Sequence, residues 1–380
     1  MVKRLAVLAA ALAACSMGLA SAQSFVINGR AVKLPMILKS GAVYVDAAAL
    51  AKALGASVTY NKATKQYVIS LGGAPGAEGT TQMAGGWGEL GKEYSIGGSD
   101  PMNFKLKSAE FTVGQVIVSD HIAWPGAGEK LLVLHYTIHN PQKGEESAAW
   151  STFDISAVDA SDQNHTFSQY VGQETNGQTL SMYLKPAQKV EAYTYIVVPA
   201  KGEIPKLIIK RGDNPVVRYD LRGKAKSLSA PFADPADQTG ATALTQVPAQ
   251  TGTYYPLGHF DVKVEGAAYT DQPVLKDKPD ASYRYLVVTL WAKNRSPGQE
   301  SLSWSTFLPK LVADDGENLH WNQNLVHGTR AETISLYAEP GQELKARVYF
   351  DVRTDTPAKT FIIQEGNNGR VYLFDVSGVR

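Results

Sequence analysis

The chain contains two copies of one domain. Residues 150–153 (Trp-Ser-Thr-Phe) return as residues 304–307, an offset of 154 positions. The same offset, held without a gap across about fifty residues, links further identical pairs: Asn140 and Asn294, Gly144 and Gly298, Ser147 and Ser301, Thr179 and Thr333, Tyr183 and Tyr337, Pro186 and Pro340, and Gln188 and Gln342. A repeat at a fixed period indicates duplicated units, and a unit of roughly 120 residues is long enough for its own core.

Both copies have the pattern of an all-β fold. Residues 131–134 (Leu-Leu-Val-Leu) align with residues 285–288 (Tyr-Leu-Val-Val), and each run continues as an alternating segment to Asn140 or Asn294. Short apolar runs separated by turn residues predict a β-sandwich. We therefore expect a mainly β protein in which residues 102–221 and residues 252–380 form two homologous sandwiches.

The two repeats resemble the immunoglobulin-like sandwich domains of secreted bacterial lipoproteins, a type catalogued as a domain of unknown function. The resemblance rests on the long strand that ends at Asn140 or Asn294, on the Trp-Ser-Thr-Phe segment, and on residues 184–188 (Leu-Lys-Pro-Ala-Gln). It implies an envelope-exposed binding or accessory role and no defined catalysis.

Residues 24–71 form a smaller unit with a different pattern. Two short strands around Asn28-Gly29, the strongest hairpin dipeptide, are followed by a helix over residues 47–54, with Asp46 as its N-cap, and a second hairpin. This α+β order, with residues 47–56 (Ala-Ala-Ala-Leu-Ala-Lys-Ala-Leu-Gly-Ala), resembles the copper amine oxidase N-terminal-like stalk domain. The resemblance implies a surface or cell-wall accessory module rather than a copper site.

Residues 1–22 are a targeting segment. A basic start precedes an apolar run over residues 5–14 that is too short to span a bilayer as a helix. Residues 20–22 (Ala-Ser-Ala) form a small-residue cleavage site. The sequence Leu-Ala-Ala-Cys that ends at Cys15 also fits a bacterial lipobox, which would lipidate the cysteine and anchor the chain to the membrane. Both interpretations export the protein to the envelope, periplasm or cell surface.

Two segments of small and polar residues separate the folded units. Residues 72–101 are rich in Gly, Ala, Ser and Thr, and residues 223–250 carry Pro231, Pro235 and Pro248. Such compositions are typical of flexible or extended linkers. The sequence therefore predicts a stalk-like domain and two sandwiches joined by soft linkers.

Charge and cysteine content exclude several classes of function. The 37 Lys and Arg residues balance 36 Asp and Glu residues without a long basic run, so nucleic-acid binding lacks its electrostatic footprint. Cys15 is the only cysteine, so a chain cleaved after residue 22 forms no disulfide and has no thiolate site. Hydrolase and phosphate-loop motifs are missing as well. These features favour a protein that is not an enzyme.

Histidines are the candidate metal ligands. Imidazole suits copper and zinc, and an exported protein without cysteine would use it. Thr289 and Lys293 stand at the positions of His135 and His139 in the second copy, so the shared fold does not require these two histidines. We predict a copper site in the first sandwich from the histidines of that repeat, His121, His135, His139 and His165.

Strand geometry constrains this copper site. Residues four apart on a strand are separated by roughly 13 Å at a rise of about 3.3 Å per residue. One site from His135 and His139 therefore needs a bulge between them, and the alternative is two separate sites. A hairpin across residues 125–128 would bring His121 to this strand, and His165 would approach from a loop. Such a site would resemble copper-only superoxide dismutases, which is the enzymatic alternative.

The Trp-Ser-Thr-Phe segments admit two interpretations. As a strand, the segment places Trp150 and Thr152 on one face, and Ser151 and Phe153 on the other. Because tryptophan is usually buried, Trp150 and its copy would then fill the sandwich interior. The alternative is an exposed platform for sugars or protein partners.

These observations predict an accessory or binding protein of the bacterial envelope. We expect it to dock to a larger surface or surface-layer assembly through sandwich surfaces and edge strands. The alternatives are a copper-binding protein with superoxide dismutase-like activity, and an envelope glycan-binding protein that uses exposed aromatics such as Trp87 or Trp321.

Overall fold

The computed structural model describes residues 85–212, 215–319 and 321–379, and the backbone of six strands between residues 25 and 71. The chain divides into two compact units, residues 1–82 and residues 83–380. Within the described residues, no helix is long and apolar enough to cross a membrane.

The described strands of the first unit form three antiparallel hairpins. Their bounds are β1 (Phe25–Ile27), β2 (Arg30–Val32), β3 (Met36–Lys39), β4 (Ala42–Val45), β5 (Ala56–Asn61) and β6 (Gln66–Leu71), paired in that order. The pairing of β1 with β2 and of β5 with β6 agrees with the two expected hairpins. The targeting segment 1–22 and the helix predicted over residues 47–54 lie outside the described residues, so the α+β character of residues 24–71 stays a prediction.

The second unit begins with a β-sandwich. Its strands are β7 (Gly85–Gly88), β8 (Tyr94–Ile96), β9 (Met102–Thr112), β10 (Val116–Val118), β11 (His121–Ala123), β12 (Glu129–His139), β13 (Glu146–Ala149), β14 (Asp154–Val158), β15 (Asn164–Thr166), β16 (Val171–Gln173), β17 (Ser181–Leu184), β18 (Lys189–Pro199), β19 (Lys206–Lys210) and β20 (Val216–Asp220). One sheet has the order β16-β18-β12-β9-β8 and the other β15-β14-β19-β20-β7, and β13 pairs with β17 in a separate ribbon.

A second sandwich repeats the two main sheets and the ribbon, but its described residues contain no counterpart of the hairpin β10–β11. Its strands are β21 (Gln246–Ala249), β22 (Tyr254–Leu257), β23 (Phe260–Thr270), β24 (Tyr283–Asn294), β25 (Glu300–Leu302), β26 (Lys310–Ala313), β27 (Asn318–Leu319), β28 (Val326–His327), β29 (Leu336–Ala338), β30 (Glu343–Arg353), β31 (Ala358–Ile363) and β32 (Val371–Asp375). The sheets have the orders β28-β30-β24-β23-β22 and β27-β26-β31-β32-β21, and β25 pairs with β29. The prediction of a mainly β fold is confirmed, and the described residues form two sandwiches whose main sheets share one strand order.

The structural repeat is longer than the sequence repeat. The first sandwich begins at β7 rather than at residue 102, and the second begins at β21 rather than at residue 252. These opening strands pair in parallel with β20 and β32, the last strands of their sandwiches. The spacing between equivalent strands falls from 161 residues (246 − 85) at the start to 154 (343 − 189) further on, so a constant offset misses them.

Alternation along the central strand builds each core. Leu132, Leu134 and Tyr136 of β12 are buried between the two sheets of the first sandwich. Leu286 and Val288 of β24 are buried in the same way in the second sandwich. Burial of one such side chain stabilises the fold by about 1.5–3 kcal/mol, which explains how a chain without disulfides in this unit holds together.

Asn140 and Asn294 are fully buried at the end of the central strands. The side-chain amide of Asn140 donates to the carbonyls of Gly144 and Leu184, both at 2.8 Å, and its oxygen accepts from the amide of Gln142 at 2.8 Å. The same three bonds recur around Asn294, with Gly298, Ala338 and Ser296. The retained asparagine therefore ties a loop and the ribbon to the central strand.

Residues 223–250 connect the sandwiches, but they do not form the soft linker that their composition predicts. Leu228, Ala241 and Ala243 are buried in the first core, and Val247 is buried in the second. The small apolar residues of this segment close the end of the first sandwich, which composition alone does not reveal.

A buried lysine fixes this connecting segment. The Lys130 ammonium donates to the carbonyls of Ala200 at 3.2 Å, of Gly202 at 2.5 Å, and of Ala241. It also lies 4.4 Å from the centre of the Phe111 ring. Because Ala241 belongs to the connecting segment, the lysine joins that segment to the central strand.

Direct contacts also join the two sandwiches. Arg370 of the second sandwich is 4% exposed and donates to the carbonyl of Leu244 at 2.7 Å and to that of Glu129 at 2.8 Å. Trp124 of the first sandwich packs edge-on against His259, with 4.4 Å between ring centres. These contacts and the buried connection make the pair of sandwiches one compact unit.

Candidate functional site

His135 and His139 lie on the outer face of β12, away from the core. The register irregularity near them falls in β9, where residue 107 has no partner between Ser108, opposite His135, and Leu106, opposite Tyr136. Strand β12 itself is regular between the two histidines. A shared metal site would need a bulge in β12 between His135 and His139, but the bulge lies in β9.

Each of these two histidines has its own carboxylate partner. His135 Nδ1 lies 2.5 Å from Glu174, and its Nε2 lies 3.6 Å from Glu110. His139 Nδ1 lies 2.7 Å from Glu93. Both rings are thus held by contacts with carboxylates on the sheet surface.

His121 and His165 lie elsewhere. Strand β11, which carries His121, pairs with β10 and not with β12 as the predicted hairpin required. The His121 ring stacks 3.5 Å from Tyr170 and hydrogen-bonds the Tyr195 hydroxyl at 2.8 Å. His165 lies on β15 of the opposite sheet and bonds Asp159 at 2.9 Å. The four histidines are not brought together, and the described residues contain no group of three or more His, Cys, Asp or Glu that could hold a metal.

The Glu93–His139 contact predicts a specific acid sensitivity. Burial opposes ionisation of Glu93, but hydrogen bonds from His139, Lys189 and Asn103 outweigh it and lower the pKa of Glu93 to about 2. A carboxyl whose folded pKa is depressed stabilises the fold above its unfolded pKa, here 4.5, and that contribution is lost as pH falls towards 2. We expect Glu93→Gln to lose less stability between pH 5 and pH 2 than the parent in urea titrations. The exposed Glu89→Gln variant should follow the parent, and identical slopes for all three proteins would contradict this assignment.

The Trp-Ser-Thr-Phe segments are turns rather than strands. Trp150–Thr152 form a 3-10 turn, and residues 304–306 form a turn in the second copy. Phe153 and Phe307 are 3% and 2% exposed in the cores, whereas Trp150 and Trp304 are 46% and 55% exposed. The prediction that the tryptophans fill the interior is wrong, because strand alternation does not apply to a turn.

The retained threonine fixes this geometry. Thr152 Oγ1 accepts a hydrogen bond from the amide of Ala149 at 2.8 Å, and Thr306 Oγ1 accepts one from the amide of Ser303 at 2.9 Å. Side-chain bonds to nearby backbone groups favour a turn over a continued strand. The threonine thus holds the tryptophan on the outside of each sandwich.

A second exposed aromatic residue accompanies each tryptophan. Tyr183 and Tyr337 are 71% and 69% exposed, and they pair across their ribbons with Ser147 and Ser301. These serines precede the tryptophans by three residues, so each tyrosine lies on the ribbon strand opposite the one that leads into the tryptophan turn. We call Trp150 with Tyr183, and Trp304 with Tyr337, the Trp–Tyr pairs. They supply four of the seven large hydrophobic side chains that are exposed in the described part of the chain.

The surroundings of the second Trp–Tyr pair are polar. A cavity of about 280 Å³ beside the Trp304 turn is lined by residues that include His259, Glu300, Ser303 and Ser305. His259 Nδ1 lies 2.9 Å from the Glu300 carboxylate, which fixes both side chains at the cavity wall. Exposed aromatic rings beside small hydroxyl side chains are a combination that antibody paratopes also use for recognition.

The sequence analysis did not identify the tyrosines as exposed residues. The signal was present in β17, where Leu184 is buried while Ser181 and Tyr183 are exposed. An aromatic residue on the polar face of a strand, retained in both copies, is not explained by core packing. Of the tryptophans proposed for glycan binding, Trp87 is 60% exposed, whereas Trp321 packs partly buried against the second core.

Comparisons with known proteins add little to this picture. No family model matches the sequence, and no curated protein matches it. Among solved structures, an uncharacterized β-sandwich protein of Clostridium difficile is 16% identical, covers 37% of this chain and 97% of its own, and has a TM-score of 0.29. The secreted protein MPT63 of Mycobacterium tuberculosis is 17% identical, covers 35% of this chain and 95% of its own, and has a TM-score of 0.26. Function is therefore inferred from this chain's own residues.

Proposed function

We propose that this chain is an exported, non-catalytic binding protein of the cell envelope that docks to a repeating surface or surface-layer assembly through its two Trp–Tyr pairs. The observation that carries this proposal is the exposure of the same tryptophan and tyrosine in both sandwiches. Neither core needs these side chains, because Phe153 and Phe307 fill the adjacent core positions. Tryptophan and tyrosine are the residues that most often dominate binding energy at protein interfaces.

Duplication of the pair supports a repeating partner. The buried connection and the Arg370 contacts hold the two sandwiches in one compact unit, so the two pairs act as linked binding sites. Two linked sites bind a surface that carries many equivalent positions far more tightly than either site alone. A lattice or polymer at the cell surface has this property, and a single soluble partner does not.

The N-terminal sequence supports an envelope location. Residues 1–22 have the composition of an export signal, with either cleavage after residue 22 or lipidation at Cys15. Residues 24–71 resemble a stalk module of surface proteins.

Binding to isolated envelopes of the source bacterium tests the proposal. We expect Trp150→Ala or Trp304→Ala alone to weaken co-sedimentation by roughly tenfold, because each removes one aromatic anchor. The double variant should lose roughly a hundredfold or more, because avidity then disappears as well. All three variants should unfold at the parent's midpoint, since both tryptophans are exposed.

Trp87→Ala is the matched control for these variants. Trp87 is 60% exposed, but Pro248 stands at the equivalent strand position of the second sandwich. This variant should bind as the parent does. Parent-like binding by the double tryptophan variant would refute the docking proposal. Loss of binding after enzymatic removal of envelope glycans, but not after protease treatment, would reassign the pairs to glycan recognition.

A further inference from the structure

The first sandwich shows how one open strand edge is covered. Beyond its pairing with β8, strand β9 is met by the connecting segment at Lys226. The Lys226 amide donates to the carbonyl of Ala109 at 2.8 Å, and the Phe111 amide donates to the carbonyl of Lys226 at 3.0 Å. The two chains run parallel there, with Glu110 opposite Lys226. The connecting segment therefore adds a short parallel strand to this edge, and Leu228 two residues later is buried in the core.

The second sandwich has the same edge without that strand. In the first sandwich, Ala109 and Phe111 of β9 pair with Leu134 and Leu132 of β12. In the second sandwich, Ala267 and Tyr269 of β23 pair with Val288 and Leu286 of β24, which are the residues 154 positions after Leu134 and Leu132. Ala267 and Tyr269 are therefore the counterparts of Ala109 and Phe111. Strand β22 covers only residues 260–263 of β23. Among residues 246–319 and 321–379, no strand pairs with the free edge of residues 267–269.

Burial differs accordingly between the two copies. Ala109 and Phe111 are 1% and 6% exposed, whereas Ala267 and Tyr269 are only partly buried. An unpaired edge beside partly buried apolar side chains is a template for strand addition.

An unsatisfied donor marks the same place independently. Arg284 lies 154 residues after Lys130 and is its counterpart in the second sandwich. Its guanidinium lies 3.5 Å from the centre of the Tyr269 ring, and the Lys130 ammonium lies over the Phe111 ring in the same way. Lys130 donates to the connecting segment at Ala241, whereas the buried Arg284 Nε has no hydrogen-bond partner in the described structure. The arginine lacks the acceptor that an added segment provides in the first sandwich.

We propose that residues 267–269 of β23 form an acceptor site for an extended strand of a partner protein, which pairs parallel to β23 and offers a backbone carbonyl to Arg284. The occupant is a polypeptide rather than a glycan, because the first sandwich fills the equivalent site with its own residues 224–228 and 241. This site is separate from the Trp–Tyr pairs and gives the protein a second, sequence-tolerant contact, because backbone hydrogen bonds dominate strand addition.

A synthetic peptide of residues 222–245 is the probe, added to the full chain. We expect one peptide to bind per chain and to protect the Tyr269 amide from hydrogen exchange, while the Phe111 amide keeps its protection. N-methylation of the peptide at Lys226 removes the amide that would bond Ala267, so it should weaken binding at least tenfold. N-methylation at Ser227, whose amide points to the other side of a strand, should have little effect. Arg284→Met should weaken binding several-fold with only a small shift of the unfolding midpoint.

Failure of the acceptor-site proposal can be distinguished from failure of the docking proposal. The Trp150→Ala, Trp304→Ala double variant should bind the peptide as the parent does, because the two surfaces do not overlap. Absence of binding at millimolar peptide, equal affinity of both N-methylated peptides, or binding without protection of Tyr269 would overturn the acceptor site. Dimerisation of the full chain that the peptide inhibits would overturn the assignment to a partner protein and make a second copy the occupant.

Discussion

Asn140→Ala should lower the free energy of unfolding by about 3–5 kcal/mol. The substitution leaves the carbonyls of Gly144 and Leu184 without their donor and the amide of Gln142 without its acceptor, around a side chain that is itself fully buried. Each buried polar group that loses its partner costs about 1–3 kcal/mol. Asn294→Ala should have the same effect in the second sandwich, because the three bonds recur there. Chemical denaturation followed by circular dichroism measures both losses.

Asn318→Ala is the control for this pair. Asn318 is an exposed residue on β27, so its replacement should change the unfolding free energy by less than about 0.5 kcal/mol. Equal and small effects for all three variants would show that the buried asparagine does not hold the loops to the central strand. A large effect in only one sandwich would show that the copies have diverged in how they use this residue.

The duplicated fold was predictable because duplication preserves core spacing. Residues from Asn140 to Gln188 kept one offset, so the sequence revealed two equivalent β-domains. The opening strands β7 and β21 escaped because the segments before the central strand differ in length, and no offset survives there. The hairpin β10–β11 was equally invisible, because three-residue strands give too few residues for an alternation pattern.

The candidate site was predictable only in part. Trp150 was singled out by its retention, but its exposure depends on the Thr152 hydrogen bond, which converts an apparent strand into a turn. Sequence spacing also put His121 near His135, whereas pairing of β11 with β10 carries it to Tyr170 and Tyr195. Local sequence patterns indicate which residues of a strand point to the core and which to solvent. The choice of partner strand depends on long-range packing, which cannot be read from a single sequence.

The structure of the connecting segment, residues 223–250, was also not predictable from the sequence. Composition predicted a soft linker over residues 223–250, and small residues with proline are indeed common in linkers. The structure instead uses Leu228 and Ala241 as core residues and the carbonyl of Ala241 as an acceptor for a lysine more than a hundred residues earlier. The sequence around Lys130 does not predict this contact. Lysine is rarely fully buried, so a buried position is not expected for it.

Lys130→Met should lower the unfolding free energy by about 3 kcal/mol and release the connecting segment. Burial lowers the pKa of Lys130 to about 8, and the charges of Asp237 and Glu203 oppose that shift, so the side chain is charged at neutral pH. Methionine fills a similar volume but donates no hydrogen bond to the carbonyls of Gly202 and Ala241. Loss of a buried charged donor of this kind costs about 1–3 kcal/mol or more. Denaturation measures the loss, and limited proteolysis should show faster cleavage within residues 229–245.

The chain provides the matched control at the equivalent position of the second sandwich. Arg284→Met removes a cation that also lies over an aromatic ring, but its buried Nε has no partner to lose in the described structure. Its effect should stay below about 1 kcal/mol, the usual magnitude of an exposed or partly exposed cation–π contact. Equal losses for Lys130→Met and Arg284→Met would contradict the assignment, because the ring contact rather than the three carbonyls would then carry the stability. A large loss at Lys130 alone, together with faster cleavage of the segment, would show that the buried ammonium holds the two sandwiches' connection in place.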